Sequence, residues 1–69
     1  IMHKLELKNV FIDILERERT IRGWTQWEMA DKLEMSVPGY RKMVSGLTDS
    51  ISLYTAYKAS SVLNIPMKQ

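Results

Sequence analysis

Two adjacent basic residues, Arg41 and Lys42, are the side chains of this sequence best suited to contact an anionic partner. They stand in the segment SVPGYRKMVSG, residues 36–46, where Tyr40 and Met43 fall on one face of a predicted helix and leave the basic pair on the other. Ten Lys and Arg against eight Asp and Glu give the chain a net charge of +2. Because that total is small, the position of the charges matters more than their number.

Catalytic and metal-binding chemistry finds little support in the rest of the sequence. There is no cysteine, the one histidine is His3 near the start, and no glycine-rich phosphate loop is present. Nucleophilic catalysis needs a base oriented by a third group, and the sequence offers no such set. We therefore predict that the protein is not an enzyme and that it holds no cofactor and no metal.

Length and composition favour one small cytoplasmic domain. A chain of 69 residues makes one domain at most, and a chain of this size buries only about 60% of the surface that its unfolded form exposes. Neither an apolar run of about 18 residues nor the apolar stretch of a signal peptide is present. The sequence therefore predicts a cytoplasmic protein that does not enter a membrane.

Four helices are predicted from hydrophobic spacing and from helix-end signals. Thr25 and Glu28 have the T-x-x-E spacing of a capping box, and Ser36 and Ser52 are suited to cap the next two helices. Pro38 falls in the first turn of the third helix, where a missing N–H costs nothing. The predicted helices span residues 4–22, 26–34, 37–44 and 53–63.

The inner faces of these helices are predicted from the same spacing. Trp24 is expected in the core, and Trp27, on the outer part of the second helix, is expected to pack on neighbouring side chains rather than lie on a partner. The residues expected to face inward are Val10, Phe11, Ile14, Leu15, Ile21, Met29, Ala30, Leu33, Tyr40, Met43, Leu47, Ala56, Ala59 and Leu63.

Two helices joined by a short turn, with small Ala30 buried in the first and a basic outer stripe on the second, form a helix-turn-helix arrangement. Segment 26–45 resembles the DNA-binding unit of the lambdoid phage repressor and Cro family, also called the XRE family. The segments RTIRGWTQWEMADKL, MSVPGYRKMVSG and LYTAYKASSVLNI are similar, in that order, to the family's helix 2 region, recognition helix and fourth helix. The resemblance extends over about residues 11–65.

The resemblance implies an all-α, compact, lambda-repressor-like bundle of four short helices in a single helix-turn-helix domain spanning residues 1–69. Family members often add a fifth helix after the position of Ile65, which leaves open that the chain is the N-terminal part of a longer protein. The family's usual Gly is replaced by Glu34, and its usual Glu by Val44, so Arg19 is left to meet a phosphate or to pair with Glu16. Asp49 lies in a loop that is often basic in the family.

The resemblance also implies how the protein would contact double-stranded DNA. The second helix crosses the phosphate backbone, and Gln26 beside Thr25 donates to a phosphate. The third helix enters the major groove with its N-terminus first, so apolar residues there meet thymine methyl groups and the basic pair reads guanine or grips phosphate. The implied DNA contacts are Arg19, Thr25, Gln26, Ser36, Val37, Pro38, Arg41, Lys42 and Ser45.

The function that this resemblance implies is sequence-specific transcription regulation in a bacterium or phage. A repressor that occupies operator DNA as a homodimer is the form we expect, because one unit reads one half-site. The alternative is a protein-interaction module on the same fold, such as an antitoxin or anti-repressor component. Val37, Pro38, Val44, Asp49 and the low net charge keep this alternative open.

Overall fold

The all-helical prediction is confirmed by the computed structural model, which describes residues 4–48 and 50–64 of the chain. His3, Asp49 and Ile65 lie outside the described residues. No strand occurs in the described part. The helices are α1 (Lys4–Arg22), α2 (Gln26–Lys32), α3 (Val37–Val44) and α4 (Leu53–Leu63). Three of the four predicted ranges are met, and α2 ends two residues earlier than predicted.

The early end of α2 is caused by a left-handed turn at Glu34. The φ angle of Glu34 is 61°, and the N–H of Met35 donates to the carbonyl oxygen of Ala30 at 2.8 Å. This hydrogen bond closes the helix after Lys32. A residue with a Cβ pays about 1–2 kcal/mol for this conformation. At the position where the family usually has glycine, Glu34 thus adopts a conformation that favours glycine.

The predicted end signals act as expected. Thr25, Ser36 and Ser52 each accept a backbone N–H from the first turn of the helix that follows, at 3.0 to 3.1 Å. Gly23 and Asn64 close α1 and α4 with φ angles of 73° and 57°. Because each signal acts within a few residues, it is readable from the sequence.

One hydrophobic core joins the four helices. Tyr40, Leu15 and Met29 are completely buried, and Phe11 and Trp24 pack against the core from its edge. Ala30 is the small residue at the core between α2 and α3, as predicted. The core residues are Leu15, Met29, Ala30, Leu33, Tyr40, Met43, Ala59 and Leu63.

The predicted inner face of α1 is wrong at two positions. Val10 is 44% exposed and Ile21 is 70% exposed, whereas Ile12, which was not predicted, is buried. At 3.6 residues a turn, Ile12 lies about 60° from Leu15 around the helix, but Val10 and Ile21 lie about 140° and 120° away on the other side. The face that meets the core is therefore narrower and turned towards Ile12.

Two further apolar residues are also more exposed than predicted. Leu47 is 71% exposed, because α3 ends at Val44 and the left-handed Gly46 takes the chain out of the helical spacing. Trp27 is 63% exposed, so most of its indole faces solvent. Trp24, in contrast, is half-buried against the core.

Candidate nucleic-acid interface

The outer face of α3 is formed as the sequence predicted, with one difference. Tyr40 and Met43 anchor the helix in the core, which turns Arg41 and Lys42 to solvent. Pro38 and Ser45 are exposed on the same helix and its C-cap, respectively. Val37, which was predicted on this outer stripe, is half-buried and packs against the core.

Two adjacent basic residues of α3, Arg41 and Lys42, have no acidic partner among residues 4–48 and 50–64. In contrast, Arg19 and Arg22 on α1 pair with Glu16 and Glu18, and Lys58 on α4 pairs with Glu34 at 2.9 Å.

Two other lysines in the described ranges also lack an acidic partner, but they make different contacts. Lys8 on α1 donates to the backbone carbonyls of Gly46 and Thr48, and Lys32 on α2 lies over the Trp24 ring. The sequence of α3 contains no acidic residue. This helix therefore presents two neighbouring cations to an anion.

Two hydroxyl groups at helix starts, those of Thr25 and Ser36, retain a proton that can be donated. The Thr25 and Ser36 oxygens accept backbone N–H groups of α2 and α3. A hydroxyl that accepts in this way still has its own O–H to give. The Ser45 hydroxyl instead donates to the carbonyl oxygen of Lys42 at 2.8 Å. Thr25 and Ser36 thus present free donors next to α2 and α3.

Gly39 allows the Ser36 cap to form at the start of α3. A Cβ at Gly39 would lie 2.9 Å from the Ser36 hydroxyl oxygen, closer than real Cβ atoms approach an oxygen. Gly39 is in ordinary helical conformation, so strain is not the reason for a glycine here. The nearest atom to this position is the oxygen of the cap side chain, and not a second backbone.

Gln26 and Arg41 are joined across the helix-turn-helix. The Nε–H of Arg41 donates to Oε1 of Gln26 at 3.1 Å, over a sequence separation of 15 residues. The sequence predicted a role for each residue but not this contact, because neither spacing nor residue type indicates which α2 side chain a long arginine reaches.

Arg19 takes the second of its two predicted alternatives and pairs with Glu16. Its guanidinium donates to both carboxylate oxygens of Glu16, at 2.7 and 3.1 Å, and to the carbonyl oxygen of Trp24 at 2.7 Å. The hydroxyl of Tyr40 donates to the same carboxylate at 2.6 Å. Glu16 of α1 thereby supplies the carboxylate that is missing at Val44.

The charged form of Glu16 is favoured by this network. Burial by itself raises the pKa of Glu16, but hydrogen bonds from Arg19, Tyr40 and Gln26 and the charge of Arg19 outweigh burial and lower it. Burial, together with the hydrogen bond to Glu16, raises the pKa of the Tyr40 hydroxyl. At neutral pH the network therefore joins a carboxylate, a guanidinium and a neutral phenol.

Comparison with known proteins rests on one match. The family model described as helix-turn-helix matches residues 15–69, which include all of α2, α3 and α4. No curated protein and no solved structure matches the chain. Among the helices described, none is long and apolar enough to span a membrane. The match covers most of the chain and the whole two-helix unit, and the chain therefore belongs to the helix-turn-helix family of the XRE and Cro type, whose members are DNA-binding regulators.

Proposed function

We propose that the protein is a transcriptional repressor of bacterial or phage origin that occupies operator DNA as a homodimer. Residues 1–69 act as one DNA-binding domain with its helix-turn-helix unit at residues 26–45. The observation that carries the proposal is the outer face of α3, where Arg41 and Lys42 are exposed and have no acidic partner in the described ranges. Because the ligand is operator DNA, the proposed place of action is the cytoplasm.

In the proposed complex, α3 enters the major groove and α2 lies across the phosphate backbone. Pro38 at the N-terminal end of α3 meets a thymine methyl group, and half-buried Val37 contributes only its outer part. Arg41 and Lys42 contact guanine edges or phosphates, which explains why both lie on the exposed side of the helix. The proposal thus combines apolar and basic contacts on one helix.

Phosphate contacts are proposed for the hydroxyl groups that lie beside α3. Thr25 and Ser36 are exposed and keep an O–H to donate, and such hydroxyls commonly contact the sugar-phosphate backbone. Ser45 is also exposed, and its hydroxyl contacts a phosphate by giving up its hydrogen bond to the Lys42 carbonyl. Arg19 has a smaller part, because its guanidinium is engaged by Glu16 and Trp24 and its side chain is only 19% exposed. The proposed role of Arg19 is to hold α1 against the helix-turn-helix.

Fluorescence anisotropy with labelled random-sequence duplex DNA tests the proposal. Binding is expected to weaken steeply between about 50 and 200 mM salt, because each phosphate neutralised by a cation adds about 0.9 to the slope of log K against log salt. Arg41→Ala/Lys42→Ala is expected to weaken binding and to lower that slope by up to about 2. Rounds of selection from the same random pool would then give a preferred duplex.

A charge-matched variant controls for net charge in this experiment. Lys4→Ala/Arg17→Ala instead removes two positive charges from α1, and it is expected to retain most of the affinity. If both double variants lose affinity equally, α3 has no special role and its assignment as the DNA face is wrong.

The alternative function, a protein-interaction module on this fold, is favoured by one observation. Trp27 on α2 and Leu53, Tyr54 and Tyr57 on α4 are each more than half exposed, and large exposed apolar side chains are typical of protein-binding surfaces. The same titration separates the two functions, since an apolar protein contact does not produce steep salt dependence. Absence of duplex binding at about 50 mM salt would favour the alternative.

A further inference from the structure

The position of Arg41 is set by a side chain outside its own helix. Its side chain is exposed, and a long exposed arginine ordinarily samples many rotamers. Here the Nε–H donates to Oε1 of Gln26 at 3.1 Å. This hydrogen bond crosses from α3 to the first residue of α2. The guanidinium is thereby tied to the rigid part of the helix-turn-helix.

The orientation of the Gln26 amide follows from the same hydrogen bond. An arginine only donates hydrogen bonds, so the amide must turn its oxygen, and not its NH₂, to Arg41. Gln26 is half-buried at the first position of α2, whereas Arg41 is exposed. The better-held side chain of the pair is therefore Gln26.

We propose that Gln26 is a positioning residue, which holds the Arg41 guanidinium ready for DNA. This inference rests on the proposed function and adds a mechanism to it. Gln26 then acts on DNA through Arg41, in place of the separate phosphate contact that the sequence predicts for it. The hydrogen bond between the two side chains joins α2 to α3.

The hydrogen bond to Gln26 leaves the two terminal nitrogens of Arg41 available for DNA. With Nε occupied by Gln26, the two terminal nitrogens of Arg41 remain as a planar fork, and such a fork matches O6 and N7 of guanine. A side chain that is already held before binding loses less rotamer freedom in the complex. Avoiding that loss is worth about 2- to 10-fold in affinity for one long side chain.

A double-mutant cycle on the preferred duplex tests whether Gln26 acts through Arg41. Gln26→Leu, which keeps the size of the side chain without its hydrogen bonds, is expected to weaken binding about 2- to 10-fold in the wild-type background. In an Arg41→Ala background, the same change is expected to alter binding less than about twofold. Equal losses in both backgrounds would mean that Gln26 contacts DNA independently, and would overturn the inference.

Glu18→Gln is the control variant. It changes a carboxylate of α1 that pairs with Arg22 on the same helix, and it is expected to leave binding unchanged.

NMR spectra of the DNA-free protein separate failure of this inference from failure of the proposed function. The Nε–H resonance of Arg41 is expected to be protected from exchange in the wild type and in Glu18→Gln, and unprotected in Gln26→Leu. Dispersed amide resonances in each variant show that it is folded. An unprotected wild-type Arg41, with DNA binding intact, overturns this inference alone. A wild type that binds no duplex overturns the proposed function and this inference with it.

Discussion

At the scale of single residues, the carboxylate of Glu16 takes the place of the glutamate that the family usually has at the position of Val44. The family's usual acid at that position comes from α3, whereas here the acid comes from α1, three residues before Arg19. It also accepts the hydroxyl of Tyr40, a residue buried in the core. A hydrogen bond to a charged group contributes about 1.5–3 kcal/mol to stability, which is more than a hydrogen bond between neutral groups contributes. A short network thus replaces a single ion pair.

Tyr40→Phe is expected to lower the free energy of unfolding by about 1–2 kcal/mol, because it removes one donor to Glu16 and keeps the ring in the core. Since the pKa of folded Glu16 is lowered, its stabilisation is present above the ordinary value of 4.5 and is lost as pH falls through the folded value. Urea unfolding at several pH values between 7 and 3 measures both effects. As the pH falls, the free energy of unfolding of Tyr40→Phe should decrease less than that of the wild type.

The control for this substitution is Tyr57→Phe. The Tyr57 side chain is 59% exposed, so removing its hydroxyl should leave both the stability and its pH dependence unchanged. Equal effects of the two substitutions would show that the hydrogen bond to Glu16 contributes nothing specific.

At the scale of elements, the turn between α2 and α3 and the first turn of α3 set the direction of α3. Glu34 adopts the left-handed conformation of the turn, and its carboxylate accepts from Tyr54 and Lys58 of α4 at 2.7 and 2.9 Å. The residue that replaces the family's glycine therefore also connects the turn to the fourth helix. At the start of α3, Gly39 makes room for the Ser36 cap.

Ser36→Ala is expected to lower the free energy of unfolding by about 1 kcal/mol through loss of the cap. Gly39→Ala gains about 1 kcal/mol of helix propensity but displaces the Ser36 hydroxyl, so its net effect in the wild type should be small. In a Ser36→Ala background the displaced oxygen is absent, and Gly39→Ala should then stabilise the protein. Thermal unfolding of the wild type, the two single variants and the double variant measures the effect of Gly39→Ala on stability in each background. Equal effects in both backgrounds would contradict the prediction.

At the scale of the whole molecule, the described charges are distributed unequally among the helices. The pairing of Arg19, Arg22 and Lys58 with acids neutralises much of α1 and α4, while α3 keeps its positive charge. A net charge of only +2 is therefore compatible with a basic face. Under the proposed function, one such face reads one half-site, and a homodimer presents two of them.

For a homodimer, two copies of the preferred half-site with centres about 10–10.5 base pairs apart, or a multiple of that spacing, are expected to bind most tightly. Inserting about five base pairs moves one half-site to the opposite side of the duplex and should reduce affinity at least about tenfold. Gel-shift titration of a spacing series measures this dependence. Affinity that is independent of spacing would show that the copies bind separately.

The sequence by itself determined the elements of this protein and its family. Helix ranges, the Thr25, Ser36 and Ser52 caps and the left-handed closure at Gly23 depend on interactions within a few residues, which residue type and spacing encode directly. The buried positions of α3, Tyr40 and Met43, also follow from helical spacing. The order of these signals along the chain was sufficient to identify the helix-turn-helix family.

Only the tertiary structure decided which side chains meet across helices and which apolar residues remain exposed. The hydrogen bonds that join Arg41 to Gln26 and Tyr40 to Glu16 span 15 and 24 residues, and no local spacing specifies such partners. The exposure of Ile21 and Trp27 likewise depends on where neighbouring helices pack. The physical reason is range: caps and helical faces are local properties of the chain, whereas long-range contacts depend on how complete helices are placed against one another.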